Sequence, residues 1–443
     1  MNDRLAAALL AAAAIVGPPL YALPVPEARS VTVREAVRLA LERAPEIAVA
    51  EGAARAAAAA AEEAGSIRRP QLALNTSPGY SIGLPLSVAG EVPSAFGASV
   101  RMALYDAGHR SEELEALAQA AGAQGALEDA RVDVVRRTVA ACAKLRVDLT
   151  RAGGARTRLA ARETMARRGR ALWREGRLTE LDAERAALEE ARARQKLDAV
   201  LSDLDLDRYE LARLLGLPPS TPLAVTQDPA EVLPEPAPGD AVAAALARDA
   251  RLKALAGMAE ALGKSAKLLS RTFQPRVNAE ARYAYVPRGF GYEKYYLSYK
   301  ENVASIGVAV VLPVLTGGRE AAQAAQSRAR LFRVEGERRV REEDLAQQVR
   351  RAQAAAESAR LEAGLARRGV GLAQEALRQA PALSREGRGE ADVVERALLA
   401  LVDAEEDAAR AAREQVLTRL ALLTLEGALL PAFDVEPETA IRR

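Results

Sequence analysis

Three charged residues stand inside segments that otherwise alternate between apolar and small or polar side chains. Arg101 lies in one such segment, and Glu280 and Arg282 lie in another. Charged side chains are costly in a packed core, but they are tolerated where one face of a strand borders water. We therefore expect these three residues to line a watery lumen, where they would meet ions and polar solutes.

The rest of the sequence offers little catalytic or metal-binding chemistry. Cys142 is the only cysteine and His109 the only histidine, which excludes an internal disulfide and a Cys/His metal cluster. We find no paired acid–base motif, phosphate-binding glycine loop or nucleophile elbow, so we expect neither an enzyme nor a cofactor site. A net charge of +2 from 62 basic and 60 acidic residues does not favour nucleic acid.

The alternating segments are predicted to be four β-strands of outer-membrane type. Eight of the ten tyrosines fall in or beside them, as interfacial aromatic girdles require. A soluble two-faced sheet is the alternative, but it accounts for neither the tyrosines nor the three charges. The predicted strands cover residues 71–82, 96–105, 276–286 and 303–312.

Four strands cannot close a barrel, and open strand edges are not tolerated in lipid. Assembly from several chains is therefore expected. Two chains would supply about eight strands, which leave an interior filled by side chains, so a conducting pore favours three chains.

The sequence also repeats itself. Residues 172–186 return as residues 383–397, at a shift of 211 positions. A duplication of this length predicts two copies of one unit. We assign the first copy to 31–217, a proline-rich linker to 218–238, the second copy to 239–430 and a tail to 431–443. The predicted helices are 32–66, 106–170 and 179–215 in the first copy, and 240–271, 318–384 and 390–429 in the second.

Residues 1–22 are predicted to be a secretory signal peptide. Arg4 precedes an apolar run at residues 5–16. That run is too short to span a membrane, which needs about 20 residues. The chain is therefore expected to be exported.

Several motifs, in this order and spacing, resemble the TolC-like outer-membrane efflux proteins over residues 31–430. They are VTVREAVRLALERAPEI at 31–47, RPQL at 69–72, LYDAG at 104–108, LARLLGL at 211–217 and LPVLTGG at 312–318. The resemblance implies a mixed, mostly α-helical membrane protein that forms a homotrimeric channel-tunnel. A 12-stranded barrel would sit in outer-membrane lipid, and an α-helical barrel would extend into the periplasm. The implied partners are a periplasmic adaptor protein and an inner-membrane pump.

The resemblance also assigns candidate sites at the two glycine turns. The turns would form the periplasmic tip that the adaptor contacts, with candidates Arg174, Gly176, Arg177, Asp182, Arg385, Gly387 and Arg388. The family's ring of acidic residues at the entrance falls here on Asp392 and Glu395 as a candidate gate. Where the family has a Thr-Asp or Ser-Asp pair, this chain has Leu181-Asp182.

Simpler interpretations of these residues remain. Acidic residues are favoured at any helix start because of the helix dipole, and the arginines could be ordinary solvated charges. An exported, soluble coiled-coil scaffold without channel activity is the alternative function. Drugs, metal ions and secreted proteins all remain possible cargo.

Overall fold

The computed structural model describes residues 29–77, 94–219, 221, 223–235, 240–270, 274–288, 298, 300–314, 317–385 and 393–434. The chain divides into two compact units. Unit 1 comprises residues 1–44, 134–235 and 356–420, and unit 2 comprises residues 45–133, 236–355 and 421–443.

Most described residues are helical. The helices are α1 (Val33–Arg43), α2 (Pro45–Ser66), α3 (Ala107–Arg174), α4 (Glu180–Leu214), α5 (Pro229–Val232), α6 (Ala241–Arg248), α7 (Ala250–Leu269), α8 (Arg319–Arg385), α9 (Val393–Leu425) and α10 (Leu429–Ala432). The strands are β1 (Arg29–Val31), β2 (Gln71–Ser77), β3 (Ser94–Tyr105), β4 (Leu223–Val225), β5 (Arg276–Tyr285) and β6 (Asn302–Val311).

The four-stranded sheet of unit 2 combines strands from both predicted repeats. Its order is β2-β3-β5-β6, and every neighbouring pair is antiparallel. Among the described strands, β2 and β6 each pair on one side only. Their outer edges therefore carry unpaired N–H and C=O groups.

Unit 1 contains a short parallel strand pair. β1 and β4 pair in parallel, with Val31 opposite Val225. Val31 and Leu223 are both buried there. Parallel pairing joins two segments that are almost two hundred residues apart, so it ties the start of the described chain to the segment after α4.

Apolar side chains recur at 3-4 spacing along α3, and only some of them are buried. Val135, Val139 and Cys142 are fully buried in unit 1, as helical 3-4 spacing predicts. Leu149 breaks the pattern because it is exposed.

In unit 2, small side chains set the spacing of the helices. A Cβ atom at Gly125 of α3 would lie 2.8 Å from the Cβ of Ala254 of α7. Ser111 of α3, Ser265 of α7 and Ser327 of α8 are buried, with Oγ–Oγ distances of 2.7 Å and 3.0 Å along the series. This hydroxyl chain satisfies three buried polar groups while it lets three helices approach closely.

The two helices that precede the sheet strands were each predicted as continuous, and both predictions were wrong. The range 32–66 is divided at Ala44, where ψ is 122°. Pro45 is the cause, because a residue before proline is displaced from helical geometry.

The range 240–271 is divided at Asp249, where ψ is 119°. The Asp249 carboxylate accepts a hydrogen bond from the Leu252 amide at 2.7 Å and from Arg341 at 2.6 Å. It thereby starts α7 as an N-cap.

Other boundaries differ by a few residues. β3 begins at Ser94, two residues earlier than predicted, and the range 218–238 contains β4 and α5. The last long helix, α9, ends at Leu425 because Gly427 has a φ of +62°. Part of the predicted tail is helical, since α10 includes Pro431.

Several predictions fall wholly or partly outside the described residues. The signal peptide at 1–22 lies outside them, as does the part of the first predicted strand beyond Ser77.

Candidate functional sites

The three predicted lumen charges form one cluster on the sheet. Arg101 of β3 lies directly opposite Glu280 of β5. The Arg101 Nε lies 3.0 Å from Glu280 Oε1, and the Arg282 Nε lies 2.7 Å from the same oxygen. Two arginines thus share one carboxylate, which leaves a local excess of positive charge on this face.

The opposite face of the sheet is apolar and open to solvent in the single chain. Leu72 of β2 is 67% exposed, and Ile306 of β6 is 89% exposed. Phe96 and Tyr283 lie on the same face with ring centroids 6.5 Å apart. An exposed apolar surface of this kind indicates contact with lipid or with another protein.

The charged face is not uniformly polar. Val303 and Val311 of β6 lie on it, and both are exposed. Small residues occupy the positions between them, at Ser305, Gly307 and Ala309. Small residues on this face leave space beside the charge cluster.

The first glycine turn is fully described, and Gly176 ends α3. Its φ is +71°, a conformation that favours glycine. The Gly176 amide donates to Trp173 O, and the Arg177 amide donates to Leu172 O, both at 2.9 Å. These two bonds are those of a Schellman motif, which satisfies the last carbonyl groups of the helix.

Asp182 belongs to the start of the next helix. The Thr179 hydroxyl accepts from the Asp182 amide at 3.2 Å, and it lies 2.6 Å from Asp182 Oδ2. Asp182 therefore helps to cap α4. Capping alone explains an aspartate at this position, without contact with an adaptor protein. Arg177 lies 3.4 Å from Glu175, whereas Arg174 is exposed and has no ion pair with any described residue.

The second glycine turn is described only at its margins. Gly387, Arg388 and Asp392 lie outside the described residues, and Arg385 is the last residue of α8. Glu395 lies in the first turn of α9 and is half-buried. A shared ring of Asp392 and Glu395 stays a prediction.

Sequence patterns did not indicate a charged cavity in unit 1. This unit 1 cavity, of about 460 Å³, lies among α3, α4 and α9. Asp148 and Glu406 are its acidic lining residues. Its basic lining residues are Lys144, Arg151, Arg158, Lys196, Arg410 and Arg413.

Ion pairs across the unit 1 cavity tie its helices together. Arg158 of α3 binds both Asp403 and Glu406 of α9. Lys144 of α3 binds Asp207 of α4. Arg158 therefore links α3 to α9, and Lys144 links α3 to α4.

Asp148 and Asp207 form a coupled pair beside this network. Burial and a hydrogen bond with Asp207 raise the pKa of Asp148 above its ordinary value, although Arg151 at 2.9 Å opposes the shift. Burial also acts to raise the pKa of Asp207, but hydrogen bonds from Asp148 and Lys144 outweigh it and lower that pKa. The two carboxyl groups therefore titrate as a pair, with the pKa of Asp148 raised and that of Asp207 lowered.

The single cysteine and the single histidine of the sequence both lie in α3. Burial raises the pKa of the Cys142 thiol to about 12, so its reactive thiolate is not formed at neutral pH. His109 lies in the first turn of α3, with its Nδ1 3.2 Å from Glu112.

Comparison with known proteins identifies the fold. No protein-family model and no curated protein sequence matches the chain. The outer membrane protein VceC from Vibrio cholerae matches with a TM-score of 0.70 at 20% identity, over 89% of this chain and 96% of VceC. The CmeC outer membrane channel of Campylobacter jejuni matches with a TM-score of 0.72 at 12% identity, over 89% of this chain and 85% of CmeC.

A third match is the open state of the MtrE outer membrane channel of Neisseria gonorrhoeae. Its TM-score is 0.66 at 18% identity, over 90% of this chain and 89% of MtrE. The chain has the fold of the bacterial outer-membrane channels. The resemblance expected from the sequence is thus confirmed at the level of fold.

The outer-membrane channel fold accounts for the pairing of long helices with one small sheet. No helix among the described residues is both long and apolar enough to cross a membrane.

Proposed function

We propose that three copies of this chain form a channel across the outer membrane, with a helical extension into the periplasm. The observation that carries the proposal is the sheet of unit 2. It has an exposed apolar face, a charged opposite face and two unpaired edges. Pairing of β6 in one copy with β2 in the next would satisfy both edges and close a barrel of about twelve strands.

In such a barrel the two faces of the sheet have separate roles. Leu72 and Ile306 would contact lipid, whereas Arg101, Glu280 and Arg282 would line the lumen. This matches the alternation of outer-membrane strands, in which apolar side chains point outward and polar side chains point inward. The likeness of the fold to VceC, CmeC and MtrE supports the same assignment.

The long helices would supply the periplasmic part. α3 has 68 residues and α8 has 67, so each helix is about 100 Å long. The glycine turns would then form the tip that contacts a periplasmic adaptor, which connects the channel to an inner-membrane pump. Asp392 and Glu395 would stand at the entrance as the gate.

Cysteine cross-linking tests the closure of the sheet. Cys142 is fully buried, so it contributes little background. Leu74→Cys in β2 is combined in turn with Ala304→Cys, Ile306→Cys and Val308→Cys in β6. In outer-membrane fractions, at least one pair should form disulfide-linked trimers and nothing larger.

The control combines Leu74→Cys with Ala281→Cys. Ala281 lies in β5, which already has a neighbour on each side, so this pair should stay monomeric. Monomers from every pair, with the protein recovered in the soluble periplasmic fraction, would favour the exported scaffold instead.

A further inference from the structure

The unit 1 cavity contains two basic side chains that no acid balances. Lys144 binds Asp207, Arg151 binds Asp148, and Arg158 binds Asp403 and Glu406. Arg410 binds Asp407. Lys196 and Arg413 line the same cavity, and neither has an ion pair or hydrogen bond to any described residue.

Arg413 is the more informative of the two. Its Nε atom is buried and has no hydrogen-bond partner among the described residues. A buried donor without an acceptor costs free energy, so an unsatisfied group of this kind calls for an explanation. No acceptor among the described residues binds this guanidinium, so its hydrogen-bonding capacity is available to a ligand in the cavity.

The cavity suits a small, multivalent anion. Its volume of about 460 Å³ lies within the range of about 300–1,000 Å³ that is usual for ligand sites. A guanidinium can bind two oxygens of one oxyanion through parallel hydrogen bonds. Lys196 of α4 would add a second charge from a different helix.

We propose that the unit 1 cavity binds a small oxyanion of phosphate or polycarboxylate type, held by Arg413 and Lys196. The ligand links α9, which carries Arg413, to α4, which carries Lys196. The ligand occupies the part of the cavity that the ion pairs of Arg158 and Lys144 do not fill. This binding does not depend on whether the protein conducts, so it can be tested apart from the channel function.

Isothermal titration of the purified full-length protein in detergent tests the proposal, with inorganic phosphate and citrate as probes at matched ionic strength. At least one probe should bind saturably. Arg413→Gln and Lys196→Gln should each weaken that binding at least about tenfold, the ratio expected when a charged hydrogen-bonding group is removed. The matched control is Arg192→Gln on α4, an exposed arginine that pairs with Glu189 and does not line the cavity.

Each further outcome has a defined meaning. Phosphate binding without citrate binding would identify the phosphate class, and the reverse would identify the polycarboxylate class. Absence of saturable binding by both probes would overturn the proposal. The proposal would also be overturned if Arg192→Gln weakened probe binding as much as the cavity variants did. It would likewise be overturned if chloride competed with the probe as well as an oxyanion does, because either result would indicate general charge screening. Melting curves from circular dichroism establish that each variant is folded.

Discussion

Gly216 lies directly against Arg43 in unit 1. A Cβ atom at Gly216 would come within 2.7 Å of the Arg43 Cβ, and Gly216 has a φ of +61°. The same arrangement recurs in unit 2 between Gly427 and Arg248, where the distance is 2.9 Å and φ is +62°. The two glycines are 211 positions apart and the two arginines 205, which are shifts between the predicted repeats.

The hydrogen bonds at these helix ends recur as well. Leu217 N donates to Ala212 O at 2.9 Å, and Ala428 N donates to Leu423 O at 2.9 Å. Each glycine therefore ends a long helix, and the absence of a side chain lets the last residue of a short helix pack against it. That residue is Arg43 of α1 in one case and Arg248 of α6 in the other. A larger side chain would separate the two helices.

Alanine substitutions at three glycines distinguish the cost of backbone strain from the cost of steric overlap, because the three glycines have different surroundings. Gly153→Ala on an exposed helical surface should stabilise the protein by about 0.5–1 kcal/mol. Gly176→Ala has open space around the new Cβ but requires positive φ, so it should cost about 1–2 kcal/mol.

Gly216→Ala combines both penalties and should cost about 1–3 kcal/mol more than Gly176→Ala, because a backbone-proximal atom must move. Thermal melting by circular dichroism gives the order. Equal melting temperatures for Gly176→Ala and Gly216→Ala would contradict the close packing against Arg43.

Arg158 should contribute more to the free energy of unfolding than Arg410 of α9 does. Arg158→Gln removes two charged hydrogen bonds to α9 and should cost about 1–3 kcal/mol. Arg410→Gln removes only an exposed pair with Asp407 and should change stability by about 0–1 kcal/mol. Urea titration gives the free energy of unfolding of both variants. A similar loss for the two would show that the ion pairs of Arg158 contribute no more than an exposed pair.

The Asp148–Asp207 pair should make stability depend on pH. The raised pKa of Asp148 adds stability below the ordinary aspartate value, and this contribution is lost as pH rises through the raised pKa. The lowered pKa of Asp207 adds stability above the ordinary value, and that contribution is lost as pH falls through the lowered pKa.

Asp148→Asn imitates the protonated carboxyl group. It should raise the melting temperature at neutral and higher pH and flatten the pH dependence above the ordinary aspartate pKa. Asp205→Asn, at an exposed position paired with Arg208, serves as the control and should change little. A lower melting temperature for Asp148→Asn at every pH would contradict the raised pKa of Asp148.

The charge cluster of the sheet should set ion selectivity. Glu280→Gln leaves Arg101 and Arg282 without their carboxylate, so the lumen becomes more positive and the reversal potential in a KCl gradient should shift toward chloride. Arg101→Gln should shift it in the opposite direction. Glu260→Gln, an exposed change on α7, should leave it unaltered. Identical reversal potentials for all three variants would place the cluster outside the conduction path.

Removal of the candidate gate should open the entrance. The double variant Asp392→Ala, Glu395→Ala should increase leakage of large solutes, because carboxylates can hold the closed state through hydrogen-bonding or basic partners on neighbouring helices. Glu375→Ala, which alters an exposed pair on α8, is the control. Unchanged conductance of the double variant in planar bilayers would remove these two residues from the gate.

Local signals in the sequence were sufficient for much of the fold. Alternation on the strands placed Arg101, Glu280 and Arg282 on one face, and the sheet register then brought them together. Thr32 and Asp240 cap the helices that they were predicted to start. Such features depend on neighbours within a few residues, which a sequence pattern records directly.

Features that depend on distant residues were missed. The break at Asp249 is stabilised by Arg341, 92 positions away. The unit 1 cavity combines residues near 150, 200 and 410 of the chain, and periodicity within one helix does not indicate which helices meet. The charged lining residues of α3 do lie on one face at helical spacing, which is the local trace of the cavity, and they are Lys144, Asp148, Arg151 and Arg158.

Conductance of the purified protein in a planar lipid bilayer tests whether copies of this chain form a channel. Heat-dissociated monomers are the control. The described residues of one chain supply a four-stranded sheet, which is too small to close a barrel. Unheated oligomers should give discrete current steps, and heated samples should give none. Absence of steps from intact oligomers that are inserted in the bilayer would contradict the proposed channel.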